Sequence, residues 1–355
     1  MNLSSNAKRI WEIIKTCSDW ILLIALEVAC QFIGDRKPFE QLFSVLDPTI
    51  SFPMAAHERV PGSILYVYCF GIPAASVLIV SMAFGPGDLK RRAKLLNWGL
   101  LGVGVSVIVA QLFTEVVKFI VGRPRPDFLS RCQPDAARAQ AAFTATAVAL
   151  FDSSICTSTD ASVINDGFRS FPSGHSSMSF AGLTYLALYL AGRFRLFAPH
   201  SPHGKHLYAY FITAAPILVA SFITTSRVSD FRHRGTDVLG GASLGVFFAI
   251  VGYRYYFPWP NSQFAGIPWM TIRQEEERGI PIALGGPGKL HQYSPSTTRL
   301  PLLPTSQDAR SVAQASQGAP TPYSDVGGNP MEMHPISNTN TYSAPPPHTM
   351  PGGSH

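Results

Sequence analysis

An all-α bundle of six membrane-spanning helices followed by a disordered tail is the fold class this sequence predicts. Three observations predict it. Of 355 residues, 46% are hydrophobic and only 14% charged, where a soluble domain carries about 25% charged residues. The apolar residues fall in blocks of the length a bilayer requires, about 20 residues each. From residue 258 onward, Pro, Ser, Thr, Gly and Gln dominate, with little to form a core.

The first span, 11–33, is the weakest, since Glu12, Lys15, Asp19 and Glu27 interrupt it. The chain begins MNLSSNAKRIWEIIKTCSDW, which lacks the basic, apolar and small-residue order of a cleavable signal peptide. The span itself is therefore expected to direct insertion. Spans 62–84 and 96–120 come next, separated by the basic segment LKRRAK (89–94). The fourth, 174–192, begins inside FPSGHSSMSF (171–180), and spans 207–225 and 237–257 complete the set. Gly241 and Gly245 have the GxxxG spacing that lets helices approach closely in lipid. The general abundance of small residues in spanning helices accounts for them equally well.

Lysine and arginine in short loops orient the chain. Lys8, Arg9 and Lys15, the LKRRAK segment, and the stretch from GRFRLF to Lys205 all fall on one side of six spans. That side, with both termini, is expected to be cytosolic. Loops 34–61, 121–173 and 226–236 then face the lumen or the exterior. The expected organisation is one membrane domain over 1–257 and a cytosolic tail over 258–355, whose partners the sequence does not name.

Other classes are excluded or left open by composition. A net charge of +6 without a recognisable basic module argues against nucleic-acid binding. Five cysteines without a CxxC pair argue against a zinc or thioredoxin-like centre. Cys132 and Cys156 share the loop 121–173, and a bridge or two free thiols both fit their spacing. His200, His203 and His206 form H-x2-H-x2-H in a cytosolic loop, read as a solvated turn ahead of a metal site. The alanine-rich stretch 136–151 has a helical pattern too short to span, and is expected to lie on the membrane surface near the site.

Three polar clusters fall on the non-cytosolic side. In the first, Gln111, Glu115 and Lys118 share one helix face, and Arg125 follows. Ionisable groups in a span usually face a cavity, although a lone lysine can also snorkel to the interface. In the second, Pro172, Ser173, Gly174 and His175 open a helix. Free amides at that end can hold an anion, and the histidine can donate a proton; alone, the same residues could simply start a helix. In the third, SRVSDFRHRGTD (226–237), Arg227 can fork onto phosphate oxygens. His233 and Asp237 are four apart, so the carboxylate could hold one imidazole nitrogen and leave the other nucleophilic. A basic loop with a capping aspartate reads the same way. Arginines should avoid this face, and a bound anion explains why several occupy it together.

K-x6-RP, PSGH and SR-x5-H-x3-D, in that order on six spans, resemble the phosphatidic acid phosphatase type 2 superfamily, which includes lipid phosphate phosphatases and vanadium haloperoxidases. GRPRPDFLSRCQP and DPTISFPMAAHERVP are similar to its fungal and plant lipid phosphatase branch, that of the diacylglycerol pyrophosphate phosphatases. The resemblance covers roughly residues 15–257. Arg234–Gly235 departs from it, where that branch often has a second histidine and a bulky residue. The resemblance implies that His233 attacks phosphorus, Asp237 orients it and His175 protonates the leaving oxygen. Lys118, Arg125, Ser173, Gly174 and Arg227 would hold the phosphate of a phospholipid, with no metal or other cofactor. A sphingoid-base or isoprenoid phosphate phosphatase and a non-catalytic lipid-binding relative are the alternatives. A transporter is disfavoured, because the polar groups cluster at one face and not at the midplane.

Overall fold

The computed structural model describes residues 5–85, 87–145, 149–199, 206–279, 282–284 and 291–293. In chain order the helices are α1 (Ser5–Gly34), α2 (Gly62–Phe84, with a π turn over Val67–Gly71) and α3 (Leu89–Val121). Three short helices follow, α4 (Phe128–Cys132), α5 (Ala136–Ala145) and α6 (Ala161–Gly167). Then come α7 (Gly174–Arg193), α8 (Leu207–Ser229), α9 (Gly235–Tyr256) and α10 (Trp269–Glu277). A short antiparallel pair, Ile282–Leu284 with His291–Tyr293, is the one non-helical element among the described residues.

Among the described residues, five helices are long and apolar enough to cross a membrane: α1 from Cys17, α2, α3, α8 and α9. Their outer faces expose Ile24, Ile79, Phe211, Leu218, Phe222, Leu239 and Phe247. Such a continuous apolar exterior suits lipid and not water. The fourth expected span, 174–192, corresponds to α7, whose 20 residues reach about 30 Å. It falls short of the same apolarity because it carries His175 and several hydroxyl residues. The reason is its position. It packs against α9, α8, α3 and α2, and Ser176, Ser177, Ser179, Tyr185 and Tyr189 are buried inside the bundle. A helix enclosed by other helices can satisfy polar side chains internally: the Tyr185 hydroxyl donates to the Gly99 carbonyl at 2.9 Å, and Ser81 and Tyr189 share a hydrogen bond of 2.9 Å.

Of the two readings of Gly241 and Gly245, the structure selects close packing. A Cβ on Gly241 would lie 2.4 Å from the Ser173 carbonyl oxygen, and one on Gly245 would lie 2.3 Å from that of Ser177. Both obstacles are backbone, so α9 can meet α7 this closely only through glycine.

The helices alternate in direction and give the bundle two unlike ends. At one end the LKRRAK segment, Arg193 and Arg195 gather. Here residues 258–279, expected to be disordered, are instead folded onto the bundle. Arg193 donates to the Gly266 carbonyl at 2.8 Å, Arg195 to that of Gln263 at 2.9 Å and Lys94 to Gln274 at 2.8 Å. Ala265 and Ile272 are buried, and Arg254 lies over the rings of Trp259 and Trp269. A few apolar anchors and the free carbonyls of turns are enough to dock a polar segment. The rest of the expected tail, and His200 and His203, lie outside the described residues, apart from the two strands.

At the other end, loops 35–61 and 122–173 build a second, smaller core. Phe43, Phe128 and Phe168 pack there edge-on and tilted, with centroids 4.8 and 4.5 Å apart for the pairs with Phe128. Cys132 and Cys156 are bridged within it, which settles the question their spacing left open. The stretch 136–151 is helical over Ala136–Ala145, and Ala139 packs into this second core.

Candidate active site

All three motif segments arrive at the end of the bundle that carries the bridged loop. Lys118 lies in the last turn of α3, which Gly122 ends in the left-handed region at φ 59°. Gly174 and His175 open α7, and Ser173 caps it. Arg227 lies in the last turn of α8 and Asp237 in the first turn of α9. The connecting turn places Phe231 at φ 54°, an uncommon conformation for a bulky residue, with its ring stacked on Phe52 at 4.9 Å. That reversal lets the amides of Arg232 and His233 both donate to the Arg227 carbonyl, at 3.1 and 3.3 Å.

A cavity of about 240 Å³ opens among these elements. Six predicted residues line it: Lys118, Arg125, Gly174, His175, Arg227 and His233. Two do not. Ser173 is buried behind the wall, where its hydroxyl accepts from the Ser176 amide at 3.4 Å and its own amide donates to the Asp237 carbonyl at 3.0 Å. Asp237 is fully buried beneath His233.

The expected contact between His233 and Asp237 takes a different form. Their closest approach is 4.0 Å, too long for a hydrogen bond. His233 Nδ1 instead donates to the Ser170 carbonyl at 2.7 Å, which leaves the lone pair on Nε2. The Ser170 hydroxyl donates to Asp237 Oδ2 at 2.6 Å, and the Arg234 amide donates to the same oxygen at 2.9 Å. Arg123 donates to Oδ1 at 2.9 Å. Ser170 thus touches both members of the pair. Burial holds the His233 imidazole well below the usual histidine value of 6.5, and the charges of Arg125 and Lys118 push it the same way. The ring is therefore neutral at neutral pH.

His175 is fixed by a backbone carbonyl in the same manner, its Nε2 donating to Val60 at 3.0 Å. Nδ1 is left for proton exchange. Gly174 lies so near Lys118 that a Cβ there would stand 3.0 Å from Nζ. A side chain would crowd the space between the ammonium and the helix N-terminus, where an anion would bind.

Each cation is held in place by a carboxylate. Lys118 Nζ meets Glu115 at 2.7 Å, Arg125 meets Asp166 at 2.7 Å, and Arg227 meets Glu58 at 2.9 Å and Asp230 at 2.8 Å. Arg131 holds Asp166 from behind at 3.0 Å and Asp127 at 2.8 Å. Burial pulls Asp166 upward, yet Arg125, Arg131 and Lys118 outweigh it and keep the carboxyl below its ordinary range. Among the described residues, no three His, Cys, Asp or Glu side chains are grouped so as to hold a metal ion.

Four lining residues were not expected: Glu58, Gly62, Asp166 and Arg232. Ser170 and Val60 were also missed: the carbonyls of both are main-chain oxygens that carry no residue-type signal, and the Ser170 hydroxyl that reaches Asp237 lies just ahead of the FPSGH stretch. Arg232 stands next to His233 inside the third motif, and Glu58 stands inside AHERVP; an ionisable residue so close to a motif was the available clue. Arg234, the departure from the family pattern, turns away from the cavity and donates to the Thr49 hydroxyl at 2.7 Å.

Neutral imidazole, a second imidazole, and four cations around a headgroup-sized space can hold a phosphoryl group and attack it. The comparisons with known proteins point the same way. The family model of the PAP2 superfamily matches residues 99–260. A probable diacylglycerol pyrophosphate phosphatase of Schizosaccharomyces pombe is 37% identical over 77% of this chain and 92% of its own. Diacylglycerol pyrophosphate phosphatase 1 of Saccharomyces cerevisiae is 37% identical over 68% of this chain and 79% of its own. A probable lipid phosphate phosphatase of Arabidopsis thaliana is 31% identical over 73% of this chain and 79% of its own. No solved structure matches.

Proposed function

The chain belongs to the PAP2 superfamily, and from that premise we propose that it is a multi-pass membrane phosphatase acting on phosphorylated lipids such as phosphatidic acid and diacylglycerol pyrophosphate. One observation carries this reading: two oppositely tasked histidines and a set of cations face a single cavity where helix ends meet the membrane surface. The cavity, at about 240 Å³, is smaller than the ~300–1,000 Å³ of drug-sized ligand sites. A headgroup fits while acyl chains stay in lipid.

In the proposed reaction Nε2 of neutral His233 attacks phosphorus. Lys118, Arg125, Arg227 and the amides at Gly174 stabilise charge on the non-bridging oxygens. His175 donates a proton to the departing oxygen, then takes one from the water that hydrolyses the phosphohistidine. Asp237 orients His233 through Ser170, and Ser173 acts by building the turn. The nearby carboxylates Glu58, Glu115, Asp166 and Asp230 are each committed to a lysine or arginine, which favours a metal-free scheme in which side-chain cations serve. Activity is expected to survive EDTA.

We read α7 as the sixth span and 1–257 as the phosphatase body, with 258–279 docked on its basic end. The positive-inside rule makes that end cytosolic. The site then faces the lumen or the exterior, and the Cys132–Cys156 bridge supports this, since disulfides persist in oxidising compartments.

The test is phosphate release by purified protein from phosphatidate, diacylglycerol pyrophosphate and lysophosphatidate, beside His233→Ala. Wild type should turn over at least one lipid and the variant none. Equal release by both proteins would remove His233 from the nucleophile role.

A further inference from the structure

Two arginines of the first motif segment part ways. Arg125 lines the cavity; Arg123, two residues earlier, does not. Its Nη1 donates to Asp237 Oδ1 at 2.9 Å and to the Thr236 hydroxyl at 3.1 Å. Asp237 is fully buried, and a carboxylate there is costly unless a cation and hydrogen bonds meet it. Among the described residues, Arg123 is the one lysine or arginine within ion-pair distance of it.

The main chain of Arg123 reaches the same assembly by a second route. Its carbonyl accepts from the Ser170 amide at 3.1 Å, and the Arg125 amide donates to the Gly167 carbonyl at 2.8 Å. Segment 123–125 therefore runs alongside 167–170. One residue thus grips Ser170 through its backbone and Asp237 through its side chain. Those are the two groups set against Nδ1 of His233, at 2.7 and 4.0 Å. The ring also feels Arg125, Lys118 and His175; among all of these, Asp237 alone favours the imidazolium. Glu58 and Asp166 line the cavity too, but each is already paired with arginine.

We propose that Arg123 is a positioning residue for the reaction: it balances the buried charge of Asp237 and fixes Ser170, so that the His233 ring presents Nε2 to the cavity. This rests on the phosphatase reading and adds to it a residue that acts without touching substrate. The division of work between the two arginines follows from where each points. Arg125 meets the phosphoryl group, and Arg123 holds the frame behind the nucleophile.

The test compares the full chain with Arg123→Gln, Arg123→Lys and Arg125→Gln on whichever lipid phosphate the wild type turns over best. Arg123→Gln should lower kcat roughly ten- to a hundredfold, the scale seen when the outer partner of a working histidine is removed, with KM nearly unchanged. The acid limb of its pH profile should move upward, because Asp237 then acts on His233 without its counter-cation. Arg123→Lys keeps the charge but not the planar donor, so it should hold the limb in place and recover part of kcat. Arg125→Gln should instead raise KM. A raised KM in Arg123→Gln, or a fall in kcat with the limb unmoved, overturns the positioning role alone. A wild type inactive on every lipid overturns the phosphatase reading and this role with it. Should Arg123→Gln not fold, both charges are removed together, which leaves no unpaired buried group. Arg123→Gln combined with Asp237→Asn should then match the kcat of Asp237→Asn alone, and a further loss in the double variant refutes the proposal.

Discussion

In the proposed reaction His233 acts through the nitrogen that its neighbours leave free. Its Nδ1 proton is taken by the Ser170 carbonyl, and its native pKa is depressed by burial and by Arg125 and Lys118. A depressed value means that the unfolded chain binds the proton more tightly. The stability from keeping the ring neutral is then fully present above pH 6.5 and is lost as pH falls toward the native value. The acid limb of kcat/KM assigned to His233 should accordingly lie below pH 6.5; a limb at or above it would contradict the environment described here. Ser170 gives a second residue-scale prediction. Ser170→Ala removes the donor to Asp237 Oδ2 and leaves the carbonyl in place. We expect kcat to fall about tenfold with KM nearly unchanged, and the acid limb to move upward, because the less quenched Asp237 charge 4.0 Å from Nδ1 favours the imidazolium. A purely structural role would lower Tm without moving that limb. Side chains whose chemistry is unusual for their place, such as Lys118, His175 and His233, were legible in the sequence. Ser170 and Val60 were not: any residue offers the same carbonyl, and a lone serine hydroxyl does not announce which carboxylate it will meet.

Helices α7 and α9 form the contact on which the site depends, because one carries His175 and the other follows His233. Their separation is set by backbone against backbone at Gly241 and Gly245. Gly245→Ala places a methyl 2.3 Å from the Ser177 carbonyl oxygen, an overlap that rotamer changes cannot relieve. Overpacking of this kind costs about 1–3 kcal/mol, and it should pull the two histidines apart. The expected outcome is a lower Tm in detergent and a fall in kcat on any accepted lipid. Gly235→Ala is the control, since a Cβ there meets nothing within 4 Å. Equal behaviour of the two variants would show that helix approach does not set the site. The GxxxG spacing could not choose between close packing and abundance, because spacing does not say which residue lies opposite. Helix α7 was legible as an apolar run of spanning length that opens at PSGH, while the hydroxyls inside that run went unread. Polar side chains there make sense once every face meets another helix.

The whole molecule divides its labour between two ends, and the sequence revealed this through arginine. One set of arginines lies in short loops beside spans, and the other sits where the positive-inside rule disfavours it. The composition change at 258 was read as the end of ordered structure, and here composition misled. Residues 258–279 contain few apolar groups, but Ala265 and Ile272 are buried, and the main-chain oxygens of Gln263 and Gly266 satisfy Arg195 and Arg193. Without this segment the buried Arg195 guanidinium would lose the Gln263 carbonyl, a penalty of about 1–3 kcal/mol for an unmet buried group, and half-buried Arg193 would keep only the Phe84 carbonyl. Phe257, fully buried against Tyr189 and Tyr253, would become the chain terminus. A chain ended after residue 279 should therefore keep the Tm and lipid phosphatase activity of the full protein. One ended after 257 should melt at least ~4 °C lower, and should lose activity in proportion to the protein unfolded, because the cavity lies at the far end of the bundle. Equal melting of the two truncations would mean that the docked segment contributes nothing to the fold. A chain ended after 257 that keeps its Tm but loses activity would instead tie the docked segment directly to the cavity.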